Sequence, residues 1–325
     1  MSSHFDQTLE FLRAAGEPTR LRILALLRGG DLSVGELVQV LSLSQPRLSH
    51  HLKALTAGGL VERLPEGAFV FYRAASRGKA RAFLDSLFDQ LGPDAPEFLR
   101  DAERLNEVNA ARAATASAYF AEVAENWDTI RALHYPEDAI EAALLDIAGP
   151  GPFQRVVDFG TGTGRMLALF AGRADEVEGI DLSHHMLTVA RANLERLGVP
   201  GARVRQGDVA ATPFESESAD LVIIHQVLHY VPTPNRVIAE AARILVPGGR
   251  LLVVDFAPHE LEFLRADHGH HRLGLSHETM AAWASAAGLH LSAPKAFTPA
   301  SGGEPSLTVN IWSAEKLADM KESAA

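Results

Sequence analysis

The 325-residue sequence predicts two modules of different fold class: an α+β module at the N terminus, and then an α/β domain with an open, doubly wound sheet. The α/β prediction rests on Val156–Gly164, where an apolar run leads into Asp158 and glycines then fall at every second position. It also rests on later apolar runs that end in Asp181 and His225. The α+β prediction rests on short amphipathic helices followed by a hairpin pattern within residues 17–73.

Composition limits the class of protein further. At this length two domains are expected, and an apolar content of 47% is sufficient for both cores. No apolar run reaches about eighteen residues, so no membrane span is predicted, and the first residues lack the pattern of a signal peptide. The absence of cysteine excludes disulfides and thiolate chemistry, and it fits a cytoplasmic protein.

The net charge of −11 is unevenly distributed along the chain. Residues 1–92 hold eleven Lys and Arg against nine Asp and Glu, a balance of +2. Residues 93–325 hold nineteen against thirty-two, a balance of −13. The acidic excess therefore lies in the later part, and the N-terminal part can still present the local positive charge that phosphate contacts need.

Short helices with recognisable starts are predicted in the N-terminal region. A first helix covers Phe5–Ala15, and Glu17-Pro18 opens a second. Ser33 and Glu36 form a capping-box pattern, in which each side chain bonds to the backbone of the other residue. This pattern predicts a short third helix that ends at about Val40.

A fourth helix carries the polar face of the module. Ser44 caps it, and Gln45-Pro46 places proline in the first turn, where the missing N–H costs nothing. An apolar stripe of Leu48, Leu52 and Leu55 faces the core, and hydrogen-bonding side chains occupy the other faces, as in a helix that enters a major groove. A hairpin follows over residues 60–73, and the predicted DNA contacts are Ser44, Gln45, Arg47, Ser49, His50, Lys53 and, on the hairpin, Arg73.

This order of helix, turn, polar-faced helix and hairpin makes a winged helix-turn-helix, and it resembles the ArsR/SmtB family of bacterial repressors. The resemblance rests on Glu17-Pro18-Thr19-Arg20-Leu21 and on Ser44-Gln45-Pro46 followed by Leu48-Ser49-His50-His51-Leu52. It implies a DNA-binding and dimerisation domain over residues 1–92, a homodimer paired through Phe5–Ala15 and Ala80–Leu91, and a palindromic double-stranded DNA operator. A helix-turn-helix used only for dimerisation is the alternative, and the polar face argues against it.

The ArsR/SmtB family is known for metal sensing, and the sequence departs from the family there. Ser33-Val34-Gly35 stands where the family's thiolate site would fall, and Lys79–Leu91 holds two aspartates but no histidine. No metal is therefore expected. Another group, His268, His270 and His271 beside Asp267, invites a metal interpretation but offers no clear helical ligand pair.

The glycine-rich turn Val156–Gly164 is predicted to join a buried strand to a helix. Glycines permit the sharp turn and remove the Cβ atoms that would hold a ligand away. A second strand ends in Asp181, about twenty residues past the turn, where a carboxylate can accept hydrogen bonds from ribose hydroxyls. A plain strand–helix turn is one alternative. A dinucleotide dehydrogenase is another, but it would prefer G-x-G-x-x-G, whereas Gly164 follows Thr163 directly.

Together with the later strands, this series resembles the class I S-adenosylmethionine-dependent methyltransferases. Val227-Leu228-His229-Tyr230 and the Pro247-Gly248-Gly249 turn look like the branch that methylates ubiquinone and menaquinone precursors. The resemblance implies a Rossmann-like domain with a seven-stranded sheet over residues 119–325. Antiparallel edge strands are expected at Leu289–Ala293 and Ser306–Ser313.

A helical linker is predicted over residues 93–118, between the two modules. The next segment, Tyr119–Asp128, resembles the lid that folds over the cofactor in many methyltransferases. Its aromatic residues could equally seal the core, so both interpretations stay open.

The resemblance also implies a site for S-adenosylmethionine or its demethylated product, S-adenosylhomocysteine. The glycines approach the methionine moiety and ribose, Asp181 holds the ribose, and Asp208 accepts from the adenine amine. No catalytic residue is assigned, and His229 and Tyr230 are open to either substrate contact or a structural role. The full set of expected cofactor residues is Asp158, Gly160, Thr161, Gly162, Gly164, Asp181, Leu182, Met186, Asp208, Val209 and His225.

The two resemblances together imply a dimeric transcriptional regulator, a repressor by family, whose methyltransferase-fold domain binds the nucleoside as effector. Genes of methionine and one-carbon metabolism would be natural targets, because of the ligand. One alternative is an active small-molecule methyltransferase that carries a DNA-binding domain, and another is metal regulation through the histidines. The sequence does not decide whether methyl transfer occurs.

Overall fold

The computed structural model describes residues 4–66, 69–75, 78–92, 95–123, 137–199, 201–298 and 307–317. The chain divides into two compact units, Met1–Ala114 and Thr115–Ala325. In the described part of the chain, no helix combines the length and apolarity needed to cross a membrane.

The N-terminal unit is a winged helix-turn-helix, as the sequence predicts. Its elements are α1 (His4–Ala15), α2 (Pro18–Gly29), β1 (Leu32–Ser33), α3 (Val34–Leu41), α4 (Gln45–Ala57), β2 (Val61–Glu66), β3 (Phe69–Ala74), α5 (Gly78–Leu91) and the start of α6 (Pro96–Val123). The predicted hairpin is β2 and β3, and the sequence analysis missed β1, which pairs antiparallel with β3 to give the order β1-β3-β2.

Local capping explains where the helices of this unit begin. The capping box at α3 is present: Glu36 N donates to Ser33 Oγ (3.3 Å) and Ser33 N donates to Glu36 Oε2 (2.7 Å). Glu17 caps α2 by accepting from Arg20 N at 2.9 Å. Ser44 occupies the N-cap position of α4 as predicted, but its hydroxyl makes no capping hydrogen bond.

The core of the N-terminal unit contains the apolar stripe of α4. Leu48, Leu52 and Leu55 are at most 1% exposed and pack with Ile23 and Leu24 of α2. Burial of this stripe turns the polar faces of α4 outward, so the helix period in the sequence determined which side chains remain at the surface.

Helix α6 belongs in part to the N-terminal unit, although its sequence predicts a linker. Asp101, which is 1% exposed, accepts from Arg22 of α2 through both carboxylate oxygens, at 2.6 and 2.7 Å. Arg104 donates to Val40 O at 3.3 Å. These contacts tie the helix to residues more than sixty positions earlier, and the unit therefore extends past the predicted border at residue 92.

The C-terminal unit is an α/β domain. Its elements are α7 (Glu137–Ala148), β4 (Phe153–Phe159), α8 (Arg165–Phe170), β5 (Ala174–Asp181), α9 (His184–Arg196), β6 (Arg203–Gln206), β7 (Ala219–His225), α10 (Pro234–Ile244), β8 (Leu245–Phe256), α11 (Phe263–His268), α12 (His277–Ala286), β9 (Leu289–Leu291), β10 (Lys295–Phe297) and β11 (Val309–Lys316). The predicted turn Ser301–Pro305 lies outside the described residues, as do the side chains of Tyr119–Asp128.

The sheet runs in the order β10-β11-β8-β7-β4-β5-β6, with β9 also paired to β11. Strands β4 to β8 pair in parallel, and β11 runs antiparallel to β8. β9 pairs with Ala314–Lys316 and β10 with Val309–Ile311, so the two form one interrupted edge strand. The predicted doubly wound, seven-stranded sheet is confirmed.

Helices cover both faces of this sheet, because the inner strands alternate between two apolar clusters. Along β7, Val222 and Ile224 face the cluster that contains Trp283 of α12, whereas Leu221 and Ile223 face the cluster that contains Leu144 of α7. The chain crosses from β4 to β5 on one side and from β7 to β8 on the other. The strand order therefore reverses between β4 and β7, where open α/β sheets bind ligands at the carboxyl ends of their strands.

Candidate ligand site and nucleic-acid interface

The glycine turn after β4 requires its glycines. Gly160, Gly162 and Gly164 have φ of 71°, 51° and 84°, in the left-handed region that L side chains rarely adopt. A Cβ on Gly160 would lie 2.4 Å from Cγ2 of Val227. The turn can therefore pass beneath the segment that follows β7, which brings the ends of β4 and β7 together.

Asp181 bonds directly to this turn. Its Oδ2 accepts from Gly162 N at 2.9 Å and its Oδ1 from Ser183 N at 2.8 Å. Burial raises the pKa of Asp181 above the usual value for an aspartate, although the amides of Ser183, Gly162 and Leu182 act in the opposite direction. A carboxylate has about four lone-pair positions, so acceptor capacity remains here for ligand hydroxyls. This is the feature that fits a ribose.

The loop after β6 approaches the same place. Gly207 N donates to Asp181 O at 3.0 Å, and Gln206 Nε2 donates to Leu182 O at 3.0 Å. Asp208 follows directly; it is exposed and accepts from Ala210 N at 2.8 Å. The acidic residues expected at ribose and adenine thus lie on two connected loops.

The remaining residues of the predicted cofactor set differ in exposure. Leu182 is 48% exposed. Buried side chains make up the rest: Asp158, Thr161, Met186, Val209 and His225. Leu182 and Asp208 are therefore the exposed side chains of the predicted cofactor set.

Gln226 is a feature of this edge that the sequence analysis missed. It follows the last residue of β7, has a φ of 59°, and is 6% exposed. Its backbone N donates to Val254 O at 2.8 Å, but its buried side-chain Nε2 has no hydrogen-bond partner among the described residues. Nothing in the residue pattern indicates this, because both properties depend on how β7 and β8 end together.

His229 has a structural explanation. Its Nδ1 lies 2.7 Å from Asp255 Oδ1, its backbone N donates to Asp255 Oδ2 (3.3 Å), and both residues are at most 1% exposed. Its carbonyl accepts from the backbone N of His271 and of Arg272, at 2.8 and 3.0 Å. The pair therefore attaches the segment after β7 to β8 and to the loop after α11.

The other histidines near Asp255 pack in the same group. The ring centroid of His270 lies 4.2 Å from that of His229. Burial lowers the pKa of His259 to about 4, with His229 contributing in the same direction. Among the described residues, no group of three or more His, Asp or Glu has an arrangement that could hold a metal ion.

The predicted nucleic-acid interface lies along α4. The six predicted residues from Ser44 to Lys53 are all exposed: Ser44, Gln45, Arg47, Ser49, His50 and Lys53. His51 instead turns inward, and its Nδ1 lies 3.4 Å from Glu17 Oε2 at the start of α2. Ser44 and the first turns of α4 thus expose several polar and basic side chains, His50 among them, whereas His51 lies against Glu17.

Arg73 does not belong to that surface, which corrects the prediction. It is 8% exposed, and its Nε and Nη2 donate to the two carboxylate oxygens of Asp31 at 2.7 and 2.5 Å. The guanidinium is held inside the unit because β3 is the central strand and Asp31 directly precedes its neighbour β1. A side chain bound in this way cannot reach a DNA phosphate.

Comparison with known proteins agrees with both modules. A family profile described as "Bacterial regulatory protein, arsR family" matches residues 17–63, and one described as "Methyltransferase domain" matches residues 157–253. The chain is 39% identical over 102 residues to a phosphatidylethanolamine N-methyltransferase of Cereibacter sphaeroides, covering 31% of this chain and 50% of the relative.

A second relative is the ubiquinone/menaquinone biosynthesis C-methyltransferase UbiE of Vibrio parahaemolyticus, 34% identical over 122 residues and covering 36% and 47% of the two chains. The chain spans about half the length of the curated relatives it matches. A similar fold occurs in a solved structure described as the complex between the Haloferax volcanii Trm112 methyltransferase activator and a methyltransferase. The TM-score is 0.51 at 20% identity, and the match covers 61% of this chain and 98% of that chain. The chain therefore joins an ArsR-family helix-turn-helix domain at residues 17–63 to a class I S-adenosylmethionine methyltransferase domain at residues 157–253.

Proposed function

We propose that this protein is a DNA-binding transcriptional regulator whose methyltransferase-type domain binds S-adenosylmethionine or S-adenosylhomocysteine as an effector. The observation that carries the proposal is Asp181, which bonds to the glycine turn through Gly162 and keeps acceptor capacity for ribose hydroxyls. The same chain carries an ArsR-family helix-turn-helix domain. A nucleoside site and a DNA-reading helix in one chain make the nucleoside a natural signal for DNA binding.

The surface of α4 supports the DNA-binding part of the proposal. Arg47 and Lys53 supply positive charge, and Gln45, Ser49 and His50 supply hydrogen-bonding groups, all exposed on one helix. Such residues suit phosphate contacts and base edges in a major groove. The target class is double-stranded DNA, and the affinity is expected to fall as salt rises.

Exposed apolar residues on α1 support a homodimer. Phe5 is 75% exposed and Leu12 is 52% exposed, seven residues apart and hence on one face of the helix. Leu91 at the end of α5 is 38% exposed. A second copy of the chain that covers these residues would present two α4 helices to an operator with two half-sites.

Helix α6 supports a route between the two functions. It is held to α2 by the Arg22–Asp101 ion pair, in which Asp101 is buried and Arg22 is partly exposed, and the helix continues to Val123. A ligand that binds one dimer shape better than another shifts the balance between them, and each 1.4 kcal/mol of difference changes the ratio about tenfold. Repression and control of methionine or one-carbon genes belong to the same proposal.

To test the proposal, a DNA sequence that the purified protein binds is first selected from a random library. The affinity of the protein for that sequence is then measured. Affinity is measured at fixed salt without ligand, with S-adenosylmethionine and with S-adenosylhomocysteine. We expect at least one nucleoside to change it severalfold or more. Asp181→Ala should abolish this effect and leave the affinity of ligand-free protein for DNA nearly unchanged. Equal DNA affinity with and without both nucleosides would refute the effector role.

An active small-molecule methyltransferase is the second candidate, because the chain is similar to an N-methyltransferase and a C-methyltransferase over its later part. Many enzymes of this type need little more than alignment of the methyl group with its acceptor. Incubation with cofactor labelled in the methyl group and with quinol, phenol or amine acceptors tests it. Sustained turnover would establish an enzyme that also binds DNA, and the effector experiment would then decide whether it regulates.

A further inference from the structure

A cleft with arginines on its walls opens inside the N-terminal unit, between α2, the end of α3 and the first turns of α6. Its volume is about 230 Å³. Three arginines, two carboxylates and one apolar side chain line it: Arg22, Arg100, Arg104, Glu97, Asp101 and Leu41. None of these residues belongs to the nucleoside site or to the predicted DNA surface of α4, so the proposed function assigns the cleft no ligand.

The acidic and basic groups of the cleft are paired unequally. Asp101 is enclosed, and its two oxygens accept from Nε and Nη2 of Arg22 at 2.7 and 2.6 Å. Glu97 lies 3.4 Å from Nη2 of Arg100, and both of these side chains are more than half exposed, so the attraction between them is weak. Arg22 is thus neutralised by a buried partner, whereas Arg100 keeps most of its charge available to another anion.

Arg104 is a cation of the cleft without an acidic partner. Its Nη1 donates to Val40 O at 3.3 Å, and no carboxylate of the described residues lies within ion-pair distance of it. Its Nε and Nη2, which form one edge of the guanidinium, remain for an acceptor that binds both. Arg100 lies one turn earlier on the same face of α6. Two incompletely neutralised guanidinium groups therefore line the same wall of the cleft.

A phosphate group is the acceptor that suits this arrangement. Arginine binds carboxylates and phosphates through paired N–H groups. The oxygens of a carboxylate lie on one side of one carbon and are satisfied by a single guanidinium edge, whereas a phosphate presents oxygens in several directions and can bridge several arginines. The cleft also has space beyond the phosphate, since a closed cavity of about 150 Å³ is large enough for benzene.

We propose that the cleft binds a small phosphorylated compound, whose phosphate accepts hydrogen bonds from Arg100, Arg104 and the Nη1 of Arg22. A phosphate held in this way joins α6 to α2, and Arg104 extends the connection to the end of α3 through Val40 O. The site belongs to the N-terminal unit alone and is independent of the nucleoside site.

Calorimetry of the full-length protein tests this with inorganic phosphate and glycerol 3-phosphate, in a phosphate-free buffer whose ionic strength is held constant with chloride. Both probes should bind at a single site per chain. Succinate, which has a similar charge but carries carboxylates, should bind at least about tenfold more weakly. Arg104→Gln should weaken both phosphate probes about ten- to a hundredfold, as expected for hydrogen bonds to a charged group.

Arg100→Gln is a second variant that leaves the packing of the unit intact. The guanidinium of Arg100 bonds only within α6, to Pro96 O at 3.1 Å and to Glu97, so no contact between helices is lost. Its affinity for both phosphate probes should still fall about tenfold. Arg81→Gln on α5 is the matched control, because it removes the same charge from an exposed position of the same unit, and it should leave both affinities unchanged.

Several outcomes would overturn the proposal: no binding of either phosphate probe, succinate binding as tight as that of phosphate, or wild-type phosphate affinity in Arg100→Gln and Arg104→Gln. An equal loss in Arg81→Gln would also overturn it, as a general effect of charge. If the two cleft variants lost affinity for DNA but not for the small probes, the cleft would contact the DNA backbone instead. Affinity for S-adenosylhomocysteine should be the same in all three variants, so the nucleoside site is judged by a separate measurement.

Discussion

The two units each place an aspartate at the end of a strand, and they satisfy the two carboxylates in opposite ways. Asp31, directly before β1, is 3% exposed and binds the guanidinium of Arg73 with both oxygens. Asp181, the last residue of β5, accepts from the backbone amides of Gly162 and Ser183. The charge of Asp31 is neutralised by a guanidinium, whereas the charge of Asp181 is stabilised by the dipoles of backbone N–H groups.

The difference distinguishes a carboxylate that holds a fold together from one that is available to a ligand. Arg73 neutralises the charge of Asp31 inside the fold. Asp181 keeps its charge beside the glycine turn, and burial raises its pKa as a consequence. Because the folded-state pKa lies above the ordinary value, ionised Asp181 opposes folding, and this cost disappears as pH falls through the raised pKa.

The largest effect is expected from breaking the buried pair. Asp31→Ala leaves the guanidinium of Arg73 buried and uncompensated, and it should lower the free energy of unfolding of the N-terminal unit by about 3–5 kcal/mol. Hydrogen exchange of the full-length protein should show lost protection within residues 1–114. The three tryptophans, at positions 127, 283 and 312, all lie beyond that unit, so their fluorescence transition should not move.

A matched control is available on α5. Asp85 forms an exposed pair with Arg81, four residues away, at 2.6 Å. Asp85→Ala should cost at most about 1 kcal/mol, because exposed pairs contribute little. Similar losses in the two variants would contradict the distinction between a structural and an ordinary surface carboxylate.

The role of Asp181 should be visible in the pH dependence of nucleoside binding. Nucleoside affinity should fall as pH decreases from neutrality, and the fall should begin at a higher pH than an ordinary aspartate would give, because the protonated carboxyl loses acceptor capacity. Calorimetry at a series of pH values measures this. Asp181→Asn should bind more weakly and show a flatter profile, and a wild-type profile as flat as that of the variant would count against Asp181 as the ribose ligand.

Glu17 refines the comparison, since its carboxylate too is held by backbone amides. Burial acts to raise its pKa, but the amides of Thr19 and Arg20 outweigh it, with a smaller contribution from His51, and the pKa is lowered. Its stabilising contribution is therefore present above the ordinary glutamate pKa and is lost as pH falls through the lowered value. Glu17→Ala should cost about 1 kcal/mol, the usual value of an N-cap, measured by urea unfolding. A larger loss at low pH than at neutral pH would contradict this assignment.

The smallest expected effect concerns the DNA surface itself. Lys53→Ala on α4 removes one phosphate-binding charge, and it should reduce the slope of log affinity against log salt by about 1, without a change in sequence preference. Lys79→Ala on α5 is the control, because Lys79 is also exposed but lies outside the predicted interface. If the slope changed equally in the two variants, the effect would come from the net charge of the protein and not from a phosphate contact on α4.

Much of the fold could be predicted because its signals are local. The capping box of Ser33 and Glu36 spans four residues, and the Leu48, Leu52 and Leu55 stripe spans eight. The turn with Gly160 and the strand that ends in Asp181 are also contiguous patterns. Each feature is recognisable because the backbone geometry it requires restricts the residues at neighbouring positions.

The sequence by itself therefore determined both modules, the exposed face of α4 and the acidic residue at the glycine turn. Only the tertiary structure decided which charges are already paired. Arg73 was predicted to contact DNA, but Asp31 lies 42 positions away and binds it in the core; Asp101 was placed in a linker, but it binds Arg22 across 79 positions. The backbone of Gln226 likewise depends on where β7 and β8 end together. The physical reason is that pairing, burial and strain depend on distances between elements, and no local residue pattern encodes those distances.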